Sequence, residues 1–503
     1  MTSGNFYSRL QAGFARRRAH SMLTLPTGAR ISYAEIDARA GQMAEAFRAA
    51  GARPGDRVMA QVDKSSENVA AYLGALYGGF VYAPLNTAYT DKEVAYFLND
   101  AQPSVFLCDP VREAALAPIA RKAGVKAVFT LDASGAGTLP AAADGEVADS
   151  AVVSRDNEDL AAILYTSGTT GRSKGAMLSH RALASNAVAL NALWEFSGRD
   201  VLVHALPIFH IHGLFVALHT AMLSGAEILF LPNFDVSEIR RAMVRANVMM
   251  GVPTFYNRLL ADEGFVRAEA EHMRLFISGS APLTAETFAA FEMRTGHKIL
   301  ERYGMSEAGM IASNPVRGER VPGTVGFSLP GVDIRITTDD GDALPAGDVG
   351  NVEVRGANLF SGYWRMPEKT ESEFRSGWFI TGDVGALDND GRLTLSGRAK
   401  DLIIAGGYNI YPKEVEDVLN RVSGVIESAV VGAPHADMGE GVIAVLVGAN
   451  DPAVKKSLAA ALESLAKFKR PRKLFWIDAL PRNAMGKVQK QALRRRYADA
   501  FNQ

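Results

Sequence analysis

Cysteine is almost missing from this chain: Cys108 is the only one in 503 residues. That excludes a disulfide framework and a cysteine-built zinc site, and it fits a reducing compartment such as the cytoplasm. Charge of one sign is missing too. Lys and Arg number 54 against 55 Asp and Glu, for a formal net charge of −1, which argues against a polyanion-coating protein and removes nucleic acid from the expected partners. No apolar run is long enough to span a bilayer and no apolar h-region follows the start, so neither a membrane span nor a secretory leader is expected. Repeats are absent as well. What remains is an ordinary soluble composition, 48% hydrophobic and 22% charged, long enough for more than one domain.

The patterning is that of a layered α/β protein. A basic first helix carries Phe6, Leu10 and Phe14 on one face. Ser32 with Glu35, and Thr90 with Glu93, are capping boxes that start helices. Short apolar runs at 57–62, 80–84 and 104–108 alternate with these helices in a βαβ rhythm. Residues 132–149, rich in Ala and Gly around Pro140, read as a surface loop. Glycine-rich hairpins up to Arg398 give way after Lys400 to a compact alternation of strands and helices, including an amphipathic helix over 454–468. The expected division is therefore 1–399 and 400–503.

Chemistry concentrates where strands break into polar loops. The buried run at 161–165 ends in residues 166–175, TSGTTGRSKG. Gly168, Gly171 and Gly175 let backbone N–H groups turn towards an anion. Thr166, Ser167, Thr169 and Thr170 add hydroxyl donors, and Lys174 adds mobile charge. It is not a Walker A loop, because Ser173 precedes the lysine and Gly175 follows it. The strand at 201–207 leads into His210 and His212, whose i, i+2 spacing on an extended chain lacks a third metal ligand. Two further strands, at 273–276 and 298–300, end in SGSAP (278–282) and ERYGMSE (301–307). Open α/β sheets place ligands at such strand ends. Tyr303 offers a ring to stack on a base, Glu307 a carboxylate for Mg²⁺, and Asp383 a carboxylate able to accept two vicinal hydroxyls.

As a set and in this order, YTSGTTGRSKG, SGSAP, YGMSE, the WFITGD run at 378–383 and PRNAMGK at 481–487 resemble the motifs of the adenylate-forming enzymes, the family of acyl-CoA synthetases, peptide-synthetase adenylation domains and luciferases. Within it, LERYGMSE, HALPIFHIHGLF and NLFSGYWRMPEKT look most like the malonyl-CoA synthetases. The resemblance covers nearly the whole chain. It implies a large N-terminal domain of α/β subdomains and a small C-terminal α+β domain that rotates about Lys400. It implies an acid–thiol ligase using ATP, Mg²⁺ and coenzyme A on a small carboxylic acid, with malonate the favoured acid. Methylmalonate, fatty or aromatic acids, loading of a carrier protein, and a non-enzymatic ATP-sensing module are the alternatives.

Residue by residue, the resemblance assigns ATP or AMP binding to Thr166, Ser167, Gly168, Thr169, Thr170, Gly171, Lys174, Ser280, Ala281, Pro282, Glu301, Tyr303, Gly304, Met305, Ser306, Asp383 and Arg398. It assigns the metal to Thr166 and Glu307, and the acid to His210, Ser278, Arg302 and Met305. Catalysis falls to Lys487 and His210, and CoA to Gly406, Gly407 and Tyr408. Arg302 carries the most specific argument. A buried guanidinium with no partner is costly, unless a second carboxylate on the acid pairs with it bidentately. Nothing in the sequence selects between monomer and homodimer.

Overall fold

The structure, a computed structural model, describes residues 4–148, 151–166, 173–483 and 486–501. Two large sheets dominate the N-terminal part. One has six strands in the order Ala127–Thr130, Val105–Cys108, Arg57–Gln61, Val81–Pro84, Leu160–Thr166, Lys174–Ser179, parallel except for the last pair. The other has nine, with a parallel centre of Leu300–Met305, Leu275–Ser278, Val248–Gly251, Val201–His204, Glu227–Phe230 and Ser21–Thr24. The central strands are buried along their whole length, as parallel strands covered on both faces must be.

The helix Ser66–Tyr77 is buried on nearly every side because it lies between the two sheets. Its Tyr72 ring touches Tyr82 of the first sheet and Phe215 and His219 beside the second. The expected capping boxes are present, at Ser32 for helix Tyr33–Ala49 and at Thr90 for helix Asp91–Ala101. A third, antiparallel sheet holds Val332–Thr337, Gly350–Gly356, Trp378–Leu387 and Leu393–Arg398. Beyond it a small domain folds its own sheet, centred on Val425–His435 and Gly439–Gly448 and covered by helices Pro412–Asn420 and Pro452–Leu462.

Three expectations are corrected. Residues 132–149 do not form a loop throughout: Thr138–Asp144 is a helix with Leu139, Pro140 and Ala143 buried, since alanine favours helix once an apolar face has somewhere to pack. The strand expected over 298–300 instead begins at Leu300 and runs to Met305, pairing with Gly309–Ser313. In the small domain, helix Pro452–Leu462 stops before Phe468, which lies in a separate 3₁₀ turn. No helix among the described residues is long and apolar enough to cross a membrane.

Candidate active site

Strand Leu300–Met305 sorts its side chains by alternation. Glu301 and Tyr303 face one way and Arg302 the other. All three are buried. The Tyr303 hydroxyl donates to Asp383 Oδ2, and Arg398 Nε lies 2.8 Å from Asp383 Oδ1. These partners come from neighbouring strands of the third sheet, where Asp383 and Arg398 are directly paired in register. The Asp383 backbone N–H donates to Thr381 Oγ1 at 3.1 Å. Burial raises the Asp383 carboxyl above the usual range although Arg398 opposes it.

On the opposite face the Arg302 guanidinium lies over Gly279, so close that a Cβ there would sit 2.3 Å from its Cζ. Arg302 Nε and Nη2, Ser278 Oγ, His210 Nδ1 and His212 Nε2 are all buried without a hydrogen-bond partner among the described residues. A cluster of unsatisfied buried donors and acceptors is rare in a folded protein and points to a missing polar ligand. Burial pulls Arg302 down to about 9, which leaves it charged at neutral pH. Burial pushes His210 down to about 3, with Lys487 and Arg302 adding to the effect, so its imidazole is neutral. His212 is held well below its ordinary value for the same first reason.

His210 and His212 do not sit on an extended chain as expected. His212 opens a π-helix, His212–Ala217, a form found mainly at functional sites. Its Nδ1 lies 3.2 Å from Ser280 Oγ. Ser280 itself takes φ +70°, a left-handed conformation that costs a non-glycine residue free energy. Ala281 and Pro282 follow it towards helix Ala285–Thr295.

The phosphate-loop residues Ser167, Gly168, Thr169, Thr170 and Gly171 lie outside the described residues. At its flanks, Thr166 Oγ1 is 3.5 Å from the Lys174 carbonyl oxygen. Lys174 Nζ lies 3.3 Å from Glu373 Oε1 and 4.0 Å from the centre of the Tyr363 ring. The Tyr363 hydroxyl reaches Glu307 Oε1 and Glu373 Oε2, each at 3.0 Å. Glu307 is buried, which raises its carboxyl. Among the described residues no three His, Cys, Asp or Glu gather as a metal cage. A single buried carboxylate suits a Mg²⁺ ion that takes phosphate oxygens and waters as its other ligands.

Lys487 belongs to the small domain and still reaches solvent. Protein nevertheless surrounds it closely enough that burial, and then the Arg398 guanidinium, lower its pKa, and it feels Asp383, Arg302 and Glu307. Its N–H donates to Asn483 Oδ1 at 3.0 Å. The chain thus gathers Lys487, Asp383, Arg398, Arg302, His210 and Glu307 around one cleft. Gly304 and Met305 end the central strand, with Ser306 in the turn that follows. Gly406, Gly407 and Tyr408 are not in the cleft. They form an exposed hairpin turn, with Tyr408 stacked on Phe468 at 4.4 Å. Sequence reasoning missed Tyr363, Glu373, Thr381 and the Ser280 contact of His212: Tyr363 and Thr381 stand inside the quoted runs 358–370 and 378–383, but their contacts form only in the fold, and Glu373 lies outside every quoted motif.

The AMP-binding enzyme family matches residues 10–364, and the AMP-binding enzyme C-terminal domain matches 414–487. A malonate–CoA ligase of Arabidopsis thaliana is 34% identical over 493 residues, covering 90% of this chain and 80% of that protein. A probable CoA ligase of Humulus lupulus is 34% identical over 485 residues, covering 88% and 80%. Among solved structures, ATP-bound MatB from Rhodopseudomonas palustris superposes with a TM-score of 0.97 at 50% identity, over 99% of this chain and 100% of that one. Matched by the family model over most of its length and by relatives of this identity over nearly nine-tenths of it or more, the chain belongs to the AMP-binding enzyme family.

Proposed function

We propose that this chain is an AMP-forming malonate–CoA ligase. Malonate and ATP give malonyl-AMP and diphosphate, and CoA then displaces AMP to give malonyl-CoA. In the first step a malonate carboxylate oxygen bonds to the α-phosphorus as the bond to the β-phosphate oxygen breaks. Two anions must meet, and Lys487, already near Asp383 and Arg302, bridges them in the transition state. Asp383, oriented by Arg398, accepts the two ribose hydroxyls. Tyr303 and the Ser280, Ala281 and Pro282 segment hold adenine, with Glu301 beside them. The 166–175 loop with Lys174 holds the outer phosphates. Glu307 and Thr166 are the residues that would hold Mg²⁺, which supplies positive charge on those phosphates.

In the second step the CoA sulfur attacks the acyl carbonyl carbon, AMP leaves with the shared oxygen, and the thiol proton passes to solvent. Gly406, Gly407 and Tyr408 line the CoA path once the domain 400–503 has rotated against 1–399 about Lys400. The proposed compartment is the cytoplasm, where ATP, CoA and short acids are dissolved.

The choice of acid rests on Arg302, a buried guanidinium with two unpartnered nitrogens beside neutral His210 and the free Ser278 hydroxyl. A monoacid leaves that charge unpaired. A dicarboxylate pairs with it while its other carboxylate reacts. The malonate–CoA ligases among the relatives support the same acid. The test is AMP release from malonate, methylmalonate, succinate, acetate, octanoate and benzoate with ATP, Mg²⁺ and CoA, on wild type and Arg302→Leu. The variant should lose about 2–5 kcal/mol of malonate specificity, the range for truncating one partner of a buried charge pair, and should spare propionate or butyrate. Malonate activity kept by Arg302→Leu, or lost in step with monoacid activity, overturns the assignment.

A further inference from the structure

One buried cation is left unexplained by that chemistry. Lys64, three residues past strand Arg57–Gln61, reaches out of the six-stranded sheet into the nine-stranded one. Its Nζ lies 2.8 Å from His204 Nδ1, 2.9 Å from the His204 carbonyl oxygen and 2.6 Å from the Leu231 carbonyl oxygen. The Phe230 ring centre is 4.3 Å away. No carboxylate pairs with Lys64 among the described residues, and desolvation pushes its pKa well below the usual lysine value.

Counting donors settles where the protons are. His204 Nε2 lies 2.9 Å from the Gly213 carbonyl oxygen, which can only accept, so Nε2 carries a hydrogen. Three acceptors then face Lys64 Nζ, and only an ammonium has three N–H donors; a neutral amine leaves one lone pair against another. The single extra proton could instead sit on His204 Nδ1, but burial disfavours the charged form of both groups, and their ordinary basicities differ by about four units in favour of lysine. Lys64 is therefore charged and His204 is the neutral Nε2–H tautomer.

That tautomer has a mechanical consequence. His204 ends its strand and Gly213 lies in the first turn of the π-helix, so the bond between them closes the loop 205–212, which carries both His210 and His212. The loop has no slack, since a Cβ on Gly213 would sit 2.1 Å from the Pro207 carbonyl oxygen. We infer that Lys64 is a positioning residue for the acid site, fixing the His204 tautomer that clasps this loop and so holding His210 and His212 against Arg302. The inference rests on the reading of that cleft as the acid site.

The test has two arms. In histidine ¹⁵N-labelled wild-type protein, His204, identified by the signal lost in His204→Gln, should show its proton on Nε2 and a hydrogen-bonded, unprotonated Nδ1. A proton on Nδ1 overturns the inference, whatever the enzyme's acid proves to be and whether or not any Lys64 variant folds. In the second arm, Lys64→Met keeps the length and removes the donors. Misplacing groups near the reacting atoms by about 1 Å costs up to about a hundredfold, so the KM for the acid should rise about ten- to a hundredfold while the KM for ATP stays within about twofold. A folded Lys64→Met with unchanged acid KM, or with both KM values and kcat impaired alike, also overturns it. Failure of the acid panel alone leaves the tautomer result standing, which separates this inference from the choice of malonate.

Discussion

Glu301 and Arg302 are neighbours on one strand, each buried without its natural partner. Arg302 has nitrogens facing a cleft. Glu301 accepts the Gly323 backbone N–H at 3.2 Å, and burial holds its carboxyl up at about 8, with the Gly323 and Leu283 backbone N–H groups and Lys413 of the small domain opposing. The sign of the stability effect follows from proton counting. Between the ordinary glutamate pKa and about 8 the folded protein keeps a proton that the unfolded chain has released, so stability falls as pH rises through that window and is flat above it. At about 1.4 kcal/mol per pH unit the loss is at most about 5 kcal/mol. Glu301→Gln removes the titration. Its melting temperature relative to wild type should therefore climb between pH 5 and pH 8, and a constant difference across that range would mean that Lys413 compensates the charge fully. Residues such as Arg302 and Asp383 were legible in the sequence because each stands in a motif. Glu373 was not, because what marks it is a contact with Lys174 that only the fold creates; Tyr363 stands in the quoted run 358–370, but its contact with Glu307 is likewise made only by the fold.

At the scale of an element, the end of strand Leu275–Ser278 decides where the guanidinium can rest. Gly279 leaves the space in which Arg302 lies, and the three atoms nearest a new Cβ, at 2.3 to 2.5 Å, all belong to the far end of that side chain. Gly279→Ala should thus leave the fold intact and move the guanidinium. A displacement of about 1 Å or more predicts a rise in acid KM of up to about a hundredfold, with ATP KM and melting temperature little changed. A large fall in melting temperature with the acid KM unaltered would show that the glycine serves packing alone. Strands and capped helices were readable here from local pattern, as Ser32 and Thr90 show. The helix Thr138–Asp144 was hidden because Gly137 and Gly145 flank it, and the course of the central strand from Leu300 to Met305 was hidden because its pairing partner, Gly309–Ser313, follows a turn rich in small and polar residues.

For the whole molecule, the two half-reactions make opposite demands on the small domain. It presents Lys487 to the cleft while the Gly406–Gly407–Tyr408 turn stays exposed, and a cavity of about 680 Å³ separates it from the large domain, lined by Leu283, Gly323, Thr324, Tyr411 and Lys413. Across it Arg421 Nε and Glu286 Oε1 approach to 3.9 Å. The sequence suggests a boundary by a change of texture near Lys400 but does not show which face of the small domain turns inward, since that depends on packing between domains. Lys487→Ala should nearly abolish adenylation, by about a hundredfold or more if it acts like other single transition-state donors, and leave thiolation of supplied malonyl-AMP largely intact. Lys400 lies in the short 3₁₀ turn Ala399–Asp401 that joins strand Leu393–Arg398 to strand Ile403–Ala405. Proline there fixes φ near −65° and removes a donor, and such joints must absorb large φ/ψ changes when domains rotate. Because a 3₁₀ turn already has φ near that value, Lys400→Pro should favour the present arrangement, sparing diphosphate exchange and slowing thioester formation from malonyl-AMP. Equal loss of both half-reactions in separated assays, or of neither, would place the hinge elsewhere in the chain.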